Sequence, residues 1–92
     1  MTTAVYPGSF DPITNGHMSI LKSGLTVFEK IVVAVLHNPR KSPLFTVQER
    51  IDLIRDSLPE ITDDPDRFEI DSFDGLLVDY CKQKEAPVIL RG

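Results

Sequence analysis

The chain is short of several residue types, and each shortage closes off a class of function. Its single cysteine, Cys81, excludes an internal disulfide and any multi-cysteine zinc site. Its longest apolar run, Ile31 to Leu36, is far too short to cross a bilayer. Residues Met1 to Pro7 have neither a basic n-region nor an apolar h-region, so no secretory signal is read there and a cytoplasmic location is expected. Positive charge is scarce as well: 10 Lys+Arg stand against 14 Asp+Glu, a net charge of -4. That balance argues against nucleic acid and against an anionic membrane surface as partners. Repeats, low-complexity tracts and long linkers are also missing. What remains, 92 residues that are 41% hydrophobic and 26% charged, is an ordinary globular composition. A chain of this length buries only about 60–65% of its unfolded surface, so one modest core is expected.

Short apolar runs alternate with helical periods. Ala4-Val5-Tyr6 predicts a strand stopped by Pro7-Gly8. From Asn15, the residues Met18, Leu21, Leu25 and Phe28 recur on one face of a helix. Ile31 to Leu36 is uninterrupted and β-branched, as a parallel strand covered on both faces requires. Thr46-Val47-Gln48-Glu49 reads as a capping box opening a helix through Val47, Ile51, Ile54 and Leu58, closed by Pro59. The acidic stretch Glu60 to Asp66 reads as a solvated loop, and Arg67 to Asp71 alternates like an edge strand with one wet face. Asp74 is placed as the cap of a helix running to about Lys84 and burying Leu77, Tyr80 and Cys81; Pro87-Val88-Ile89-Leu90 forms a last strand. The order β-α-β-α-β-α-β implies an α/β fold, a parallel sheet with right-handed crossovers and helices on both faces. The final strand lacks a covering helix, so residues 1–92 are expected to be the first part of a single domain.

In such sheets ligands bind beyond the carboxyl ends of the strands, where the winding reverses. The residues leaving the strands are Pro7 to Asp11, His37 to Lys41, Ser72 to Asp74, and Arg91-Gly92. They offer a glycine turn, hydroxyls and three cations, which suit phosphate. Neither G-x-x-x-x-G-K-[ST] nor G-x-G-x-x-G occurs, so the phosphate device is neither a P-loop nor a dinucleotide fingerprint. Instead the first strand leads to Thr14-Asn15-Gly16-His17 at a helix start. There Gly16 permits close approach, the free N–H groups favour an anion, and His17 can donate to a phosphoryl oxygen.

The run Tyr6-Pro7-Gly8-Ser9-Phe10-Asp11-Pro12-Ile13-Thr14-Asn15-Gly16-His17 resembles the opening of the bacterial pantetheine-phosphate adenylyltransferase family. Thr14-Asn15-Gly16-His17 is similar to its form of the nucleotidylyltransferase H/T-x-G-H signature. The likeness continues through Asn38-Pro39-Arg40-Lys41, Phe45 to Arg50, and Val88 to Gly92. It implies a Rossmann-like nucleotidylyltransferase sheet, and adenylyl transfer from ATP to 4′-phosphopantetheine giving dephospho-coenzyme A and pyrophosphate. It further implies Mg2+ as a phosphate counterion held mainly by ATP, and assembly as a homohexamer. Members of that family carry a second, serine-rich signature for the triphosphate, which this sequence does not contain.

The resemblance also assigns roles. His17 would stabilise the pentacovalent α-phosphate, where by itself it reads as a capping or surface residue. Ser9 would touch the ATP phosphates and the acceptor, against a turn serine bonded to its own backbone. Phe10 and Gly92 would lie against ATP. Lys41 and Arg91 would hold the acceptor phosphate, while Arg40 varies and His37 stays structural. Leu77 would contact the pantetheine arm or simply pack in the core. Asp71 and Asp74 could form a metal-binding pair, but capping and solvation explain them more simply, and no metal-ligand residue is assigned. Cys81 reads as a small buried hydrophobe. Two other readings stay open: a related nucleotidylyltransferase with another phosphorylated acceptor, and a non-catalytic nucleotide-binding fragment.

Overall fold

The computed structural model describes residues 2–37, 42–85 and 88–91. Four strands form one parallel sheet: β1 (Thr3–Gly8), β2 (Lys30–Leu36), β3 (Phe68–Phe73) and β4 (Val88–Ile89), in the spatial order β3-β2-β1-β4. The helices α1 (Asn15–Gly24), α2 (Val47–Ser57) and α3 (Leu77–Lys84) make the crossovers, with short 3-10 turns at Leu58–Glu60 and Pro65–Arg67. The expected α/β order is therefore observed.

Residues alternate between the faces of each strand, which divides the core in two. On one face Tyr6, Ile31, Val33, Val35 and Phe68 meet Leu21 of α1 and Ile54 of α2. On the other, Val5, Val32 and Ala34 meet Tyr80 of α3. β2 is buried from Ile31 to Val35, as its unbroken apolar run requires. Burying each such side chain contributes roughly 1.5–3 kcal/mol before chain entropy is counted. The chain moves outward through β1, β2 and β3 with α1 and α2 on one face. It then returns past β1 to β4 with α3 on the other face. Right-handed crossovers demand this arrangement, and it puts the winding reversal between β1 and β4.

Several boundaries differ from the sequence reading. α1 ends at Gly24, so Leu25 and Phe28 pack against the core from the following turn rather than from the helix. β3 runs on to Phe73, with Glu69 and Asp71 on the face toward α3. Asp74 does not cap α3: Gly75 (φ 91) turns the chain and the N-cap is Leu76, which makes no side-chain cap bond. Pro87 lies outside the described residues. The capping box of α2 forms as expected, Thr46 accepting from the Glu49 N–H while Glu49 accepts from the Thr46 N–H.

Arg67 closes the end of the sheet opposite the strand exits. Its guanidinium donates to the carbonyls of Leu25 (2.8 Å), Phe28 (2.9 Å) and Glu29 (3.0 Å), the turn in which α1 hands over to β2. Cations suit a helix C-terminus, where carbonyls lack intrahelical donors. Arg67→Ala should therefore cost about 1–3 kcal/mol, since part-buried carbonyls are left unpaired. Urea denaturation checks this, and a midpoint equal to wild type would contradict it.

Candidate active site at the strand exits

The first strand leaves the sheet through Gly8, Ser9 and Phe10. Phe10 adopts a left-handed backbone (φ 48), uncommon for a bulky residue. This conformation tucks its ring inside, 1% exposed, edge-on to Tyr6 (centroids 5.4 Å apart) and against the imidazole of His17 at 4.8 Å. Ser9 remains exposed just before it. Asp11 then reaches across to the segment before α2. Its two carboxylate oxygens accept from the Leu44 N–H (2.7 Å) and the Phe45 N–H (2.9 Å).

Thr14 is the N-cap of α1 and His17 is its third residue. The Thr14 side chain accepts from the His17 N–H, and the His17 ring accepts at Nδ1 from the Thr14 N–H at 3.0 Å. An accepting Nδ1 carries no proton, so the neutral ring bears its hydrogen on Nε2. The histidine is thus a cap whose other nitrogen carries the proton: Nδ1 closes the helix start and Nε2 can act as a donor. Gly16, beside it, has only Thr14 Oγ1 within 4 Å of where a Cβ would stand, at 3.6 Å, so the space over the helix start is open.

The remaining sequence candidates fall at varying distances from this centre. β4 pairs with β1 at Ala4↔Val88 and Val5↔Ile89, and the Leu90 N–H donates to the Val5 carbonyl at 2.8 Å. Arg91, exposed, therefore leaves the sheet on the edge that Ser9 also leaves. Leu77 opens α3 on the other face and packs against the Val5, Val32, Ala34 and Tyr80 cluster. Lys41, Arg40 and Gly92 lie outside the described residues. His37 is exposed, and its N–H donates to the Phe73 carbonyl at 2.9 Å. A cavity of about 620 Å3 opens beyond β3, lined by Asp71, Phe73, Asp74, Leu76, Tyr80 and Lys84 among others. A smaller one of about 260 Å3, lined by His37, Val47, Ser72, Phe73 and Asp74, adjoins it; Ser9 and His17 line neither.

Asp71 is engaged within the fold. Asp71 accepts from the Tyr80 hydroxyl (2.9 Å) and the Ser72 N–H (2.9 Å), and pairs with Lys84 at 3.3 Å. Burial alone would raise its pKa, but these donors outweigh burial and hold the carboxyl below its usual range. Lys84 is shared with Glu69, which raises the ammonium's pKa. The cluster clasps α3 to the edge strand. Cys81 is half-buried against the same face.

Two residues of the site escaped the sequence reading, Asp11 and Arg50. Arg50 is 3% exposed and donates from Nη1 to the carbonyls of Ser9 (2.8 Å) and Leu36 (3.1 Å). The available signal was its spacing, since it shares the helix face of Val47, Ile51 and Ile54.

Burial lowers the pKa of His17 from its ordinary 6.5, and an accepting Nδ1 likewise favours the neutral ring. Between the lowered folded value and 6.5 the unfolded chain binds more protons. This group's contribution to stability is thus full above pH 6.5 and is lost as pH falls through the folded value. An NMR titration of the His17 ring should give a midpoint below 6.5, and one above it would contradict the accepting Nδ1.

A family profile described as cytidylyltransferase-like matches residues 5–92. The phosphopantetheine adenylyltransferase of Anaeromyxobacter sp. (strain K) is 56% identical over 89 residues, covering 97% of this chain and 52% of that protein. That of Desulfatibacillum aliphaticivorans is 57% identical over 90 residues, covering 98% and 49%. The enzyme of the same name from Caldanaerobacter subterraneus subsp. tengcongensis is 52% identical over the full 92 residues and 55% of its own length. The chain thus spans about half the length of the curated relatives it matches. In fold it is similar to a bifunctional NMN adenylyltransferase/ADP ribose pyrophosphatase from Francisella tularensis, solved with AMP and a manganese ion. The TM-score is 0.71 at 22% identity, covering 90% of this chain and 25% of that one. With a family profile spanning both β1 and β4, and the Thr14–His17 cap at the winding reversal between them, the chain belongs to the cytidylyltransferase-like family.

Proposed function

We propose that the protein to which this chain contributes transfers the adenylyl group of ATP to 4′-phosphopantetheine, giving dephospho-coenzyme A and pyrophosphate. The observation that carries the reading is the His17 ring. Its Nδ1 is engaged by the Thr14 N–H, which leaves an Nε2–H donor at a helix N-terminus, on a ring that rests against Phe10, the residue after the exposed Ser9. The relatives' name, phosphopantetheine adenylyltransferase, supports phosphopantetheine as the acceptor and an adenylyl group as what is transferred.

In this reaction an oxygen of the acceptor phosphate bonds to the α-phosphorus, and the α–β bridging bond breaks as pyrophosphate leaves. The nucleophile is already ionised, so no general base is needed. The protein has to align two anions and stabilise the oxyanion charge that develops. Nε2–H of His17 donates to that charge, and the free N–H groups of α1 face it with their dipole. Ser9 and the Phe10 backbone take the nucleotide phosphates, with Gly92 at the same ligand. Lys41 and Arg91 hold the acceptor phosphate, Arg91 through its planar fork. Leu77 and the cavity beyond β3 accommodate the acceptor's arm. Mg2+ enters with ATP as its phosphate counterion; the described residues hold no cluster of three or more candidate metal ligands. The proposal includes a homohexamer working in the cytoplasm. Among the described residues no helix is long and apolar enough to cross a membrane.

The test is pyrophosphate release by a protein of the relatives' full length carrying this segment, supplied with ATP and a panel of phosphorylated acceptors. Preference for 4′-phosphopantetheine is expected. Preference for another acceptor, such as NMN, moves the protein to a sister activity, and no turnover with any acceptor leaves only nucleotide binding. His17→Ala should lower kcat by about 10²–10³-fold, the scale for losing one oxyanion donor. ATP affinity should change far less.

Gly16→Ala separates binding from folding. A methyl fits inside the chain here, and alanine is the better helix former by about 1 kcal/mol. Thermal stability should therefore be kept or slightly raised while KM for ATP rises, because the methyl fills the space a phosphate approaches. An unchanged KM would place the nucleotide elsewhere.

A further inference from the structure

Arg50 breaks two local rules. It stands in the first turn of α2, where the helix dipole disfavours a cation, and it is 3% exposed. Its partners among the described residues are backbone carbonyls: Ser9 (2.8 Å) and Leu36 (3.1 Å) from Nη1, and Thr46 (3.4 Å) from Nε. A buried guanidinium costs several kcal/mol of desolvation unless its fork is well met. The dipole does not favour a cation so near the helix start, so the explanation lies with the carbonyls it meets outside its own helix.

The carbonyls it holds suggest another reason. Ser9 and Leu36 lie at the ends of two adjacent parallel strands, where the chain turns out toward the site. Ser9 is followed directly by Phe10, whose left-handed backbone is uncommon and needs outside support. The Phe10 ring in turn rests against the His17 imidazole at 4.8 Å. A contiguous path runs from guanidinium to Ser9 carbonyl, to the Phe10 ring, to His17.

Resting on the adenylyl-transfer reading above, we infer that Arg50 is a positioning residue for this reaction. Its guanidinium pins the Ser9 carbonyl to the end of β2, and so sets both Ser9 and, through Phe10, the His17 ring. Lysine in its place keeps the charge but is a point donor, not a fork, and cannot bridge both carbonyls in the same geometry. Displacement of a catalytic group by about 1 Å can cost on the order of 10²-fold in rate.

The experiment compares wild type, Arg50→Lys and Arg50→Gln in a protein of the relatives' full length. Turnover is measured at a temperature where circular dichroism shows each variant folded. Alongside it, the Hε1 resonances of His17 and His37 are recorded without ligand. The His17 signal feels the ring current of Phe10, while the exposed His37 serves as an internal control. Arg50→Lys should lower kcat by at least ~10-fold, on the scale expected of misplacement, with a smaller change in KM for ATP. Arg50→Gln should lose more, and in both the His17 resonance should move while His37 stays. A folded Arg50→Lys variant whose His17 resonance is unmoved overturns the inference, whatever its turnover. So does failure of both variants to fold, which would make Arg50 a folding residue. A wild type inactive with every acceptor refutes the functional reading instead, and the resonances still decide the positioning role.

Discussion

The parallel pairing of β1 with β2, in register from Thr3↔Lys30 to Gly8↔Val35, is the constraint on which the rest of the site depends. Two parallel strands in that register end at the same level, so their outgoing turns emerge side by side without further instruction. The helices that link consecutive strands of this sheet are obligatory, because a parallel pair cannot be joined by a tight turn. Their N-termini point toward the same edge, which supplies dipoles favourable to an anion. Strand carbonyls at this edge have run out of ladder partners, and a buried one left unpaired is costly. Arg50 fills that need for Ser9 and Leu36 together. One side chain closes a backbone deficit and ties two turns to each other.

Capping and chemistry are not competing explanations for His17. The cap uses Nδ1 and thereby sets the tautomer, which is what makes Nε2 a donor. Burial against Phe10 and Tyr6 works in the same direction by disfavouring the charged ring. The cost is local: a left-handed Phe10 and a cation in a helix's first turn. Departures from local preference tend to gather at functional sites and to be offset by surrounding structure. Both departures here converge on the Ser9–Phe10 peptide. Asp11, two residues past Ser9, adds a third constraint by gripping the amides of Leu44 and Phe45 ahead of α2.

What the sequence disclosed follows from what local spacing can encode. Thr46 and Glu49, or Thr14 and His17, are three residues apart, and their bonds are dictated by helix geometry alone. The unbroken Ile31–Leu36 run announced a central strand because only two-sided burial tolerates it. The start of α3 misled, since Asp74 has the chemistry of a cap but Gly75 turns the chain before the helix begins. Asp71 was ambiguous because its partners, Tyr80 and Lys84, arrive from a helix docked by tertiary packing. Arg50 was silent for a related reason. A charged residue on a helix is solvated by default, and only the register of Val47, Ile51 and Ile54 hinted that its face turns inward.

Among the described residues, the two buried or half-buried arginines show how strand polarity separates stability from function. Arg67 and Arg50 do the same chemistry, each collecting carbonyls with one guanidinium. Arg67 does so where α1 hands over to β2, at the edge where strands begin, and no ligand is expected there. Arg50 does so at the edge where strands end. The chain's net charge of -4 would repel polyanionic substrates if it acted evenly over the surface. For the reaction proposed above, attraction would have to be local, acting where water is scarce enough for charge to count. A cation sunk beneath the Ser9 turn, with Arg91 leaving on the same edge and the α1 N-terminus facing it, meets both conditions.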